Sequence, residues 1–293
     1  MNLILGTVQF GMNYGITNKL GITTSDEVTK ILEHASLNGI EYLDTAPGYG
    51  ISEEVIGNSE IQGFKIISKT PYIDMQGIDA SFIKEVDEAL KKSLEKLNVK
   101  SFSTLLVHNI EDCYKNGAEK LFNYLSDLKK SGTVEKIGVS VYDENDIKWI
   151  IKSGFEIDVI QLPMNVLDQR LLKGNILKEI KGKNIEIHVR SIFLQGILLE
   201  DIKTVNDAFK GALKHYYKDL ELIGLSKLEA ALLFCKQIKE IDFIVVGVNN
   251  KSHLLNIIET YNKIEENQIA KLDFSKYAVD DLSLVDPRRW NKV

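Results

Sequence analysis

The segment Glu41-Tyr42-Leu43-Asp44-Thr45-Ala46-Pro47-Gly48-Tyr49-Gly50 begins as an apolar strand, ends on an acid, and turns through a Pro- and Gly-bounded loop that carries a tyrosine. Two later segments repeat the plan. Lys65-Ile66-Ile67-Ser68-Lys69-Thr70-Pro71 places a lysine where strand gives way to loop, and Leu105-Leu106-Val107-His108-Asn109 places a histidine there. Working outward, short β-branched runs fall at 3–5, 40–43, 65–68, 103–107, 136–140, 159–162, 186–189 and 243–246, which predicts eight strands. Stretches with helical spacing separate most of them, beginning near Ser25, Ser52, Asp79, Gly117, Asp143 and Ser252, several opened by Ser or Asp in the manner of an N-cap. Continuous apolar strands alternating with amphipathic helices predict a parallel sheet covered on its faces. Eight such units in 293 residues fit a (β/α)₈ TIM barrel, with a doubly wound open sheet as the other fold the pattern allows. The chain has only four prolines and no Ser/Gly/Pro-rich linker, so residues 1–293 are expected to form one domain. A long rim loop is expected at about 198–225, holding a short helix of its own, and a C-terminal tail at about 271–293.

Composition narrows the function. The formal net charge is −6, which argues against a nucleic-acid partner, since such a protein needs a basic face to displace counterions. With 44% hydrophobic and 27% charged residues the chain reads as globular, and no apolar run approaches the roughly 18 residues a membrane span needs. The start, MNLILGTVQFGMNYG, has no Lys or Arg before its first apolar run, unlike a secretory signal, and Cys113 and Cys235 have no thiol neighbours in sequence. The expected location is the reducing cytosol. Gly48-Tyr49-Gly50 is followed by Glu53 where a dinucleotide fingerprint needs glycine, no Walker loop occurs, and no tyrosine has lysine four residues on. The five histidines show no metal-ligand spacing, so no metal site is expected.

In a barrel the carboxyl ends of the strands converge, so Asp44, Lys69, His108 and the loop tyrosine Tyr49 can meet. Singly, each is more often a cap, a surface cation or a core imidazole. Together they offset one another's burial cost, because isolated buried charges are expensive. A tyrosine near pKa 10 is a poor proton donor at neutral pH, and a neighbouring ammonium is expected to lower that value. Lys69 would then tune Tyr49, Asp44 would hold Lys69, and His108 would orient a substrate oxygen.

On these residues the chain resembles the aldo-keto reductases: Asp44-Thr45-Ala46-Pro47-Gly48-Tyr49-Gly50 matches that family's most recognisable segment, and Lys69 and His108 match its strand-end lysine and histidine. The resemblance runs from Leu3 to about Thr260. It implies the barrel, NADP(H)-dependent reduction of a small-molecule carbonyl, and a tetrad of Asp44, Tyr49, Lys69 and His108 with Tyr49 as general acid. It further implies cofactor contacts from Ser140 and Gln161, although the expected Asn after Ser140 is Val141 here. In Val189-Arg190-Ser191, Arg190 stands where the family often has an aromatic, and a guanidinium can also lie flat on a nicotinamide ring. Gly247, Asn249, Lys251 and His253 fall in the segment implied to bind the adenosine phosphates, with Lys251 or His253 set to neutralise a 2′-phosphate. NADP(H) is the expected cofactor and NAD(H) remains open. Tyr14, Phe10, Tyr72, the 198–225 loop and the tail with Trp290 are expected to shape the substrate rim, Trp290 either capping the substrate or packing on the exterior. Two other readings stay open: a non-catalytic or slow NADPH-binding regulatory or assembly subunit on the same fold, and a Schiff base on Lys69 as in a class I aldolase.

Overall fold

Each predicted apolar run forms a strand: β1 (Asn2–Gly6), β2 (Tyr42–Asp44), β3 (Lys65–Lys69), β4 (Phe102–Val107), β5 (Val134–Ser140), β6 (Val159–Pro163), β7 (Glu186–Arg190) and β8 (Phe243–Gly247). In this computed structural model, which describes residues 1–59, 63–264 and 272–290, neighbours pair in parallel and β1 closes on β8. The closed ring excludes the open doubly wound sheet. Six strands run further at their carboxyl ends than the apolar pattern suggests, taking in Gly6, Asp44, Lys69, Pro163, Arg190 and Gly247, because the ladder continues beneath these residues through Gly6↔Asp44, Lys69↔Leu106, Pro163↔Arg190 and Gly6↔Gly247.

The two-residue period of a strand decides which side chains enter the barrel. Ile4, Ile67, Leu106 and Val159 form a buried cluster of their own, with Tyr42, Phe243 and Val245 against it. These residues come from six strands, and they fill the interior. Two positions further along the same strands stand Asp44, Lys69, His108 and Gln161, and Arg190 stands two beyond His188 on β7. The intervening residues, among them Leu3, Leu5, Leu43, Ile66 and Leu105, belong to the larger core between strands and helices. An apolar plug thus supports a polar layer at the carboxyl ends.

Two of the expected caps form, while Ser25 and Ser52 lie inside their helices, behind Thr24 and Ile51, which make no side-chain cap hydrogen bond. Asp79 accepts from the backbone of Ser81 and Phe82 ahead of Ala80–Leu97, and Asp143 with Asp146 makes a capping box for Glu144–Ser153. The helix after β8 starts one residue earlier than expected, Lys251–Lys263, with Asn250 as its cap. The segment 198–225 holds a helix of 17 residues, Asp207–Ile223, longer than its sequence suggested. A helix at Lys227–Lys236, opened by a Ser226/Glu229 capping box, follows and buries Ala230, Leu233 and Phe234 in the core. Beyond the barrel the chain from 272 to 290 is stitched down: Val279 N–H donates to the Leu167 carbonyl, the Gln169 amide to the Phe274 carbonyl, and the Tyr277 hydroxyl to Asp219. Residues 271 and 291–293 of the expected tail lie outside the described residues.

Candidate active site

At the carboxyl end of the barrel a cavity of about 620 Å³ opens, with Asp44, Tyr49, Lys69 and His108 in its wall. The Lys69 ammonium donates to Asp44 Oδ1 at 2.6 Å and to the Thr45 carbonyl at 2.9 Å, and Asp44 Oδ2 accepts from the Gln161 amide at 2.7 Å. Lys69 is 1% and Asp44 4% exposed, so the pair is removed from water and held by mutual attraction plus hydrogen bonds. Lys69 Nζ lies 4.8 Å from the Tyr49 ring centroid, and the Tyr49 and His108 rings meet edge to face at 6.1 Å.

Two glycines place Tyr49. Gly50 has φ +59°, and a Cβ there would lie 2.1 Å from the Gly11 carbonyl oxygen; a Cβ on Gly11 would lie 1.9 Å from the Tyr49 carbonyl oxygen. The loop after β2 therefore presses directly on the turn after β1. Ser52 fastens the contact by donating to the Thr7 carbonyl at 2.9 Å, while Thr7 Oγ1 donates to the Asp44 carbonyl.

Electrostatics correct one expectation. Burial pushes the Tyr49 phenol above its ordinary value, and the Lys69 charge only partly opposes this, so the net direction is up and not down. The phenol is protonated at neutral pH. Lys69 is itself raised: burial works against its charge, but Asp44 and Tyr49 outweigh it. An ammonium held charged is not a carbonyl nucleophile, which removes the observation that motivated a Schiff base. Burial, helped by Lys69, lowers His108 to about 3, so its imidazole is neutral.

The remaining predicted residues divide. Ser140, Gln161, Arg190, Ser191, Gly247, Asn249 and His253 all line the same cavity. Lys251 does not: its backbone N–H donates to Glu27 Oε1 at 2.7 Å, so a carboxylate from the helix Ser25–Leu37 occupies that helix start. Burial lowers His253, which weakens it as a cation. Arg190 donates from Nη2 to the Val141 carbonyl at 3.1 Å, and its guanidinium carbon lies 4.4 Å from the centroid of Tyr142. Arg288 of the tail stacks on that same ring at 3.5 Å. Tyr14 lines the cavity, but Phe10 is fully buried in the core and Tyr72, 74% exposed, lies outside the cavity. Trp290 packs edge to face on Phe209 at 5.4 Å and does not cap the cavity.

Several contributors escaped sequence reading. Gln9 lines the cavity and presents a buried carbonyl oxygen without a partner, matching the buried, unpartnered amide nitrogen of the expected residue Asn249. Unsatisfied polar atoms are costly unless something comes to meet them. Asn256 and Ile257 extend the lining along Lys251–Lys263. Ser191, Leu194 and Gln195 hold left-handed φ of 62°, 48° and 54°, a strained bend that folds the chain after β7 over the mouth. There Thr17 Oγ1 donates to the Gln195 carbonyl at 3.2 Å and ties the 12–24 loop onto it. No compositional signal marks such a bend, since none of the three is glycine.

Comparison with known proteins gives a match to the model of the aldo/keto reductase family over residues 2–275. Among solved structures, the chain is similar to aldo-keto reductase AKR11C1 from Bacillus halodurans in its holo form, with a TM-score of 0.75, 18% identity, and 99% of this chain and 95% of that one covered. It is similar also to the glycerol dehydrogenase AKR11B4 from Gluconobacter oxydans (TM-score 0.69, 17% identity, 99% and 94% covered). A variant of Gox0644 in complex with NADPH aligns with a TM-score of 0.66 at 18% identity, covering 96% of this chain and 90% of that one. No curated protein sequence matches.

Proposed function

The chain belongs to the aldo/keto reductase family and is an NAD(P)H-dependent oxidoreductase, and we propose that it reduces the aldehyde or ketone of a small polar, sugar-like molecule with NADP(H), using Tyr49 as general acid. The observation that carries this reading is the convergence of a protonated phenol, a charged lysine and a neutral imidazole on one cavity, with a buried carboxylate behind the lysine. The residues fit a dinucleotide: the cavity is of the size that cofactor sites have, and the orphaned Gln9 oxygen and Asn249 nitrogen offer it an acceptor and a donor. Gox0644, a fold neighbour, is described in complex with NADPH. Ser140, Gln161, Arg190 and Ser191 would hold one end of it, and Gly247, Asn249 and His253 the other, with Lys251 contributing only from outside the cavity wall. When bound, the dihydronicotinamide supplies a hydride to the carbonyl carbon.

The protein's part is the proton and the oxygen. Tyr49 donates its phenolic proton to the carbonyl oxygen as negative charge develops there, and the Lys69 ammonium stabilises the phenolate left behind. Neutral His108 has one ring N–H, which orients the same oxygen. Asp44 keeps Lys69 charged, and Gln161 fixes the second Asp44 oxygen so that the pair cannot swing. Polar groups at the mouth, including Tyr14, Asn18 and Gln195, suit a hydroxylated substrate. We read residues 1–293 as one domain, with 198–225 as a rim segment and 271–293 as a tail. We place the protein in the cytosol, in keeping with its free and buried Cys113 and Cys235, with small molecules and not nucleic acid as partners.

A panel of aldehydes and ketones with NADPH and NADH tests this reading. Carbonyl-dependent oxidation of NADPH is expected, and Tyr49→Phe should lower kcat by about 10²- to 10⁴-fold while NADPH still binds. Tight NADPH binding with no turnover on any carbonyl would favour the regulatory-subunit reading instead.

A further inference from the structure

The cavity wall is not electrically neutral. Its charged side chains are Lys19, Lys69 and Arg190 against Asp44 and Glu200. Lys69 and Asp44 cancel at 2.6 Å, and Lys19 and Glu200 stand on the outer loops, Lys19 exposed to water. That leaves Arg190 beside the reacting centre. Among the described residues it forms no ion pair, unlike the other three arginines of the chain: Arg170 holds Asp168 at 2.7 Å, Arg288 holds Asp286 at 2.7 Å, and Arg289 stands 3.9 Å from Asp286. Its fixed contacts are the Val141 carbonyl and the face of Tyr142, which anchor the guanidinium without neutralising it.

The position matters because a bound nicotinamide cannot avoid this charge. A carbonyl hydrogen-bonded to Tyr49 must have the ring within about 3–3.5 Å of its carbon. Arg190 shares the cavity wall with Tyr14, Tyr49 and His108, so a ring placed there lies in its field. The oxidised ring is a cation and the reduced ring is neutral. The phosphates carry the same charge in both forms, so their attraction to the protein cancels in the comparison.

We propose that Arg190 makes the site select the reduced dinucleotide over the oxidised one, so that the cofactor equilibrium on the protein favours carbonyl reduction. The inference rests on the dinucleotide reading above. In a cavity partly removed from water, a like charge at this range weakens binding of the oxidised form by on the order of tenfold. Loss of hydride from the neutral ring leaves a pyridinium beside Arg190, and repulsion then speeds its release.

The full-length protein is titrated with NADPH and with NADP⁺ by calorimetry, and likewise with NADH and NAD⁺. Wild type is expected to bind the reduced form about tenfold more tightly. Arg190→Lys should keep that ratio. Arg190→Gln should bring it close to one, chiefly by strengthening NADP⁺ binding, and Arg190→Phe, which restores a flat surface without charge, should do the same should the glutamine variant fold poorly. A wild-type ratio near one, or an Arg190→Gln variant that loses affinity for both forms equally, would overturn the inference and assign Arg190 to a phosphate. Absence of binding by any of the four nucleotides to wild type would instead sink the dinucleotide reading itself.

Discussion

His108 sits in a protein that withholds its proton. Burial and the Lys69 charge depress its pKa to about 3, against an ordinary value of 6.5, so between those limits the unfolded chain binds a proton that the folded chain refuses. Stability contributed by this group is therefore complete above about pH 6.5 and lost as pH falls toward 3. Urea midpoints measured at pH 7.5 and 4.5 should show a smaller acid loss in His108→Asn than in wild type; equal losses would mean the imidazole is charged in the fold. The same reasoning keeps His108 out of the pH profile of kcat between 5 and 8. At Lys69 the balance runs the other way, because Asp44 offsets the cost of burial. Lys69→Met strands a carboxylate with only the Gln161 amide for company, and should destabilise by about 3–5 kcal/mol in urea unfolding. The double variant Asp44→Asn/Lys69→Met should be more stable than Lys69→Met alone, the sign that the charge left unpaired, and not the lost volume, dominates.

At the scale of elements, what could be read in advance was what periodicity encodes. The strands, their parallel order and the polar residues at their ends follow from apolar runs and from a strand period of two, which is why Asp44, Lys69 and His108 could be picked out together. The walls of the cavity were less legible. Gln9 is an ordinary polar residue in the one-turn helix Val8–Gly11, and Asn249 was legible only as a position in its segment; it takes the chain's return around the barrel to leave their amide atoms buried and unpaired. Direction of side chains is also invisible at this level: Lys251 stands between the cavity residues Asn249 and His253 but outside the cavity wall, and Phe10 turns into the core. The contact that replaces Lys251 joins two helices far apart in sequence. Glu27, in the first turn of Ser25–Leu37, accepts from Lys251 N–H at the start of Lys251–Lys263, and that hydrogen bond holds its carboxyl below the usual range. A carboxylate there repels a 2′-phosphate brought to the same helix start. Glu27→Gln should accordingly shift the ratio of NADPH to NADH affinity toward NADPH by a few-fold, read by fluorescence titration; an unchanged ratio would show that the adenosine end lies elsewhere.

Across the whole molecule, the tail is bound against a residue of the cavity wall, Tyr142. Asp286, 2% exposed, takes three hydrogen bonds from the Arg288 side chain, at 2.9 Å to Oδ1 and at 3.2 and 2.7 Å to Oδ2, and a fourth from the Arg288 backbone at 3.1 Å. That grip presents Arg288 to Tyr142, where Arg190 already lies. Two guanidinium groups on one ring repel, and the Asp286 carboxylate offsets the repulsion while Tyr142 accepts both through its π face. The arrangement spans the chain from β5 through β7 to the last described residues, so the cavity wall near Arg190 depends on the tail staying docked. Asp286→Ala leaves Arg288 without its partner and should destabilise by about 1–3 kcal/mol in thermal or urea unfolding. It should also speed hydrogen exchange at Val279, whose N–H bonds the Leu167 carbonyl, and raise KM for the carbonyl while changing kcat little, since no proton-transfer group has moved. Exchange at Val279 as slow as in wild type, with KM unmoved, would show that the tail holds on through Phe274 and Tyr277 alone and that the Arg288 stack is incidental to the site.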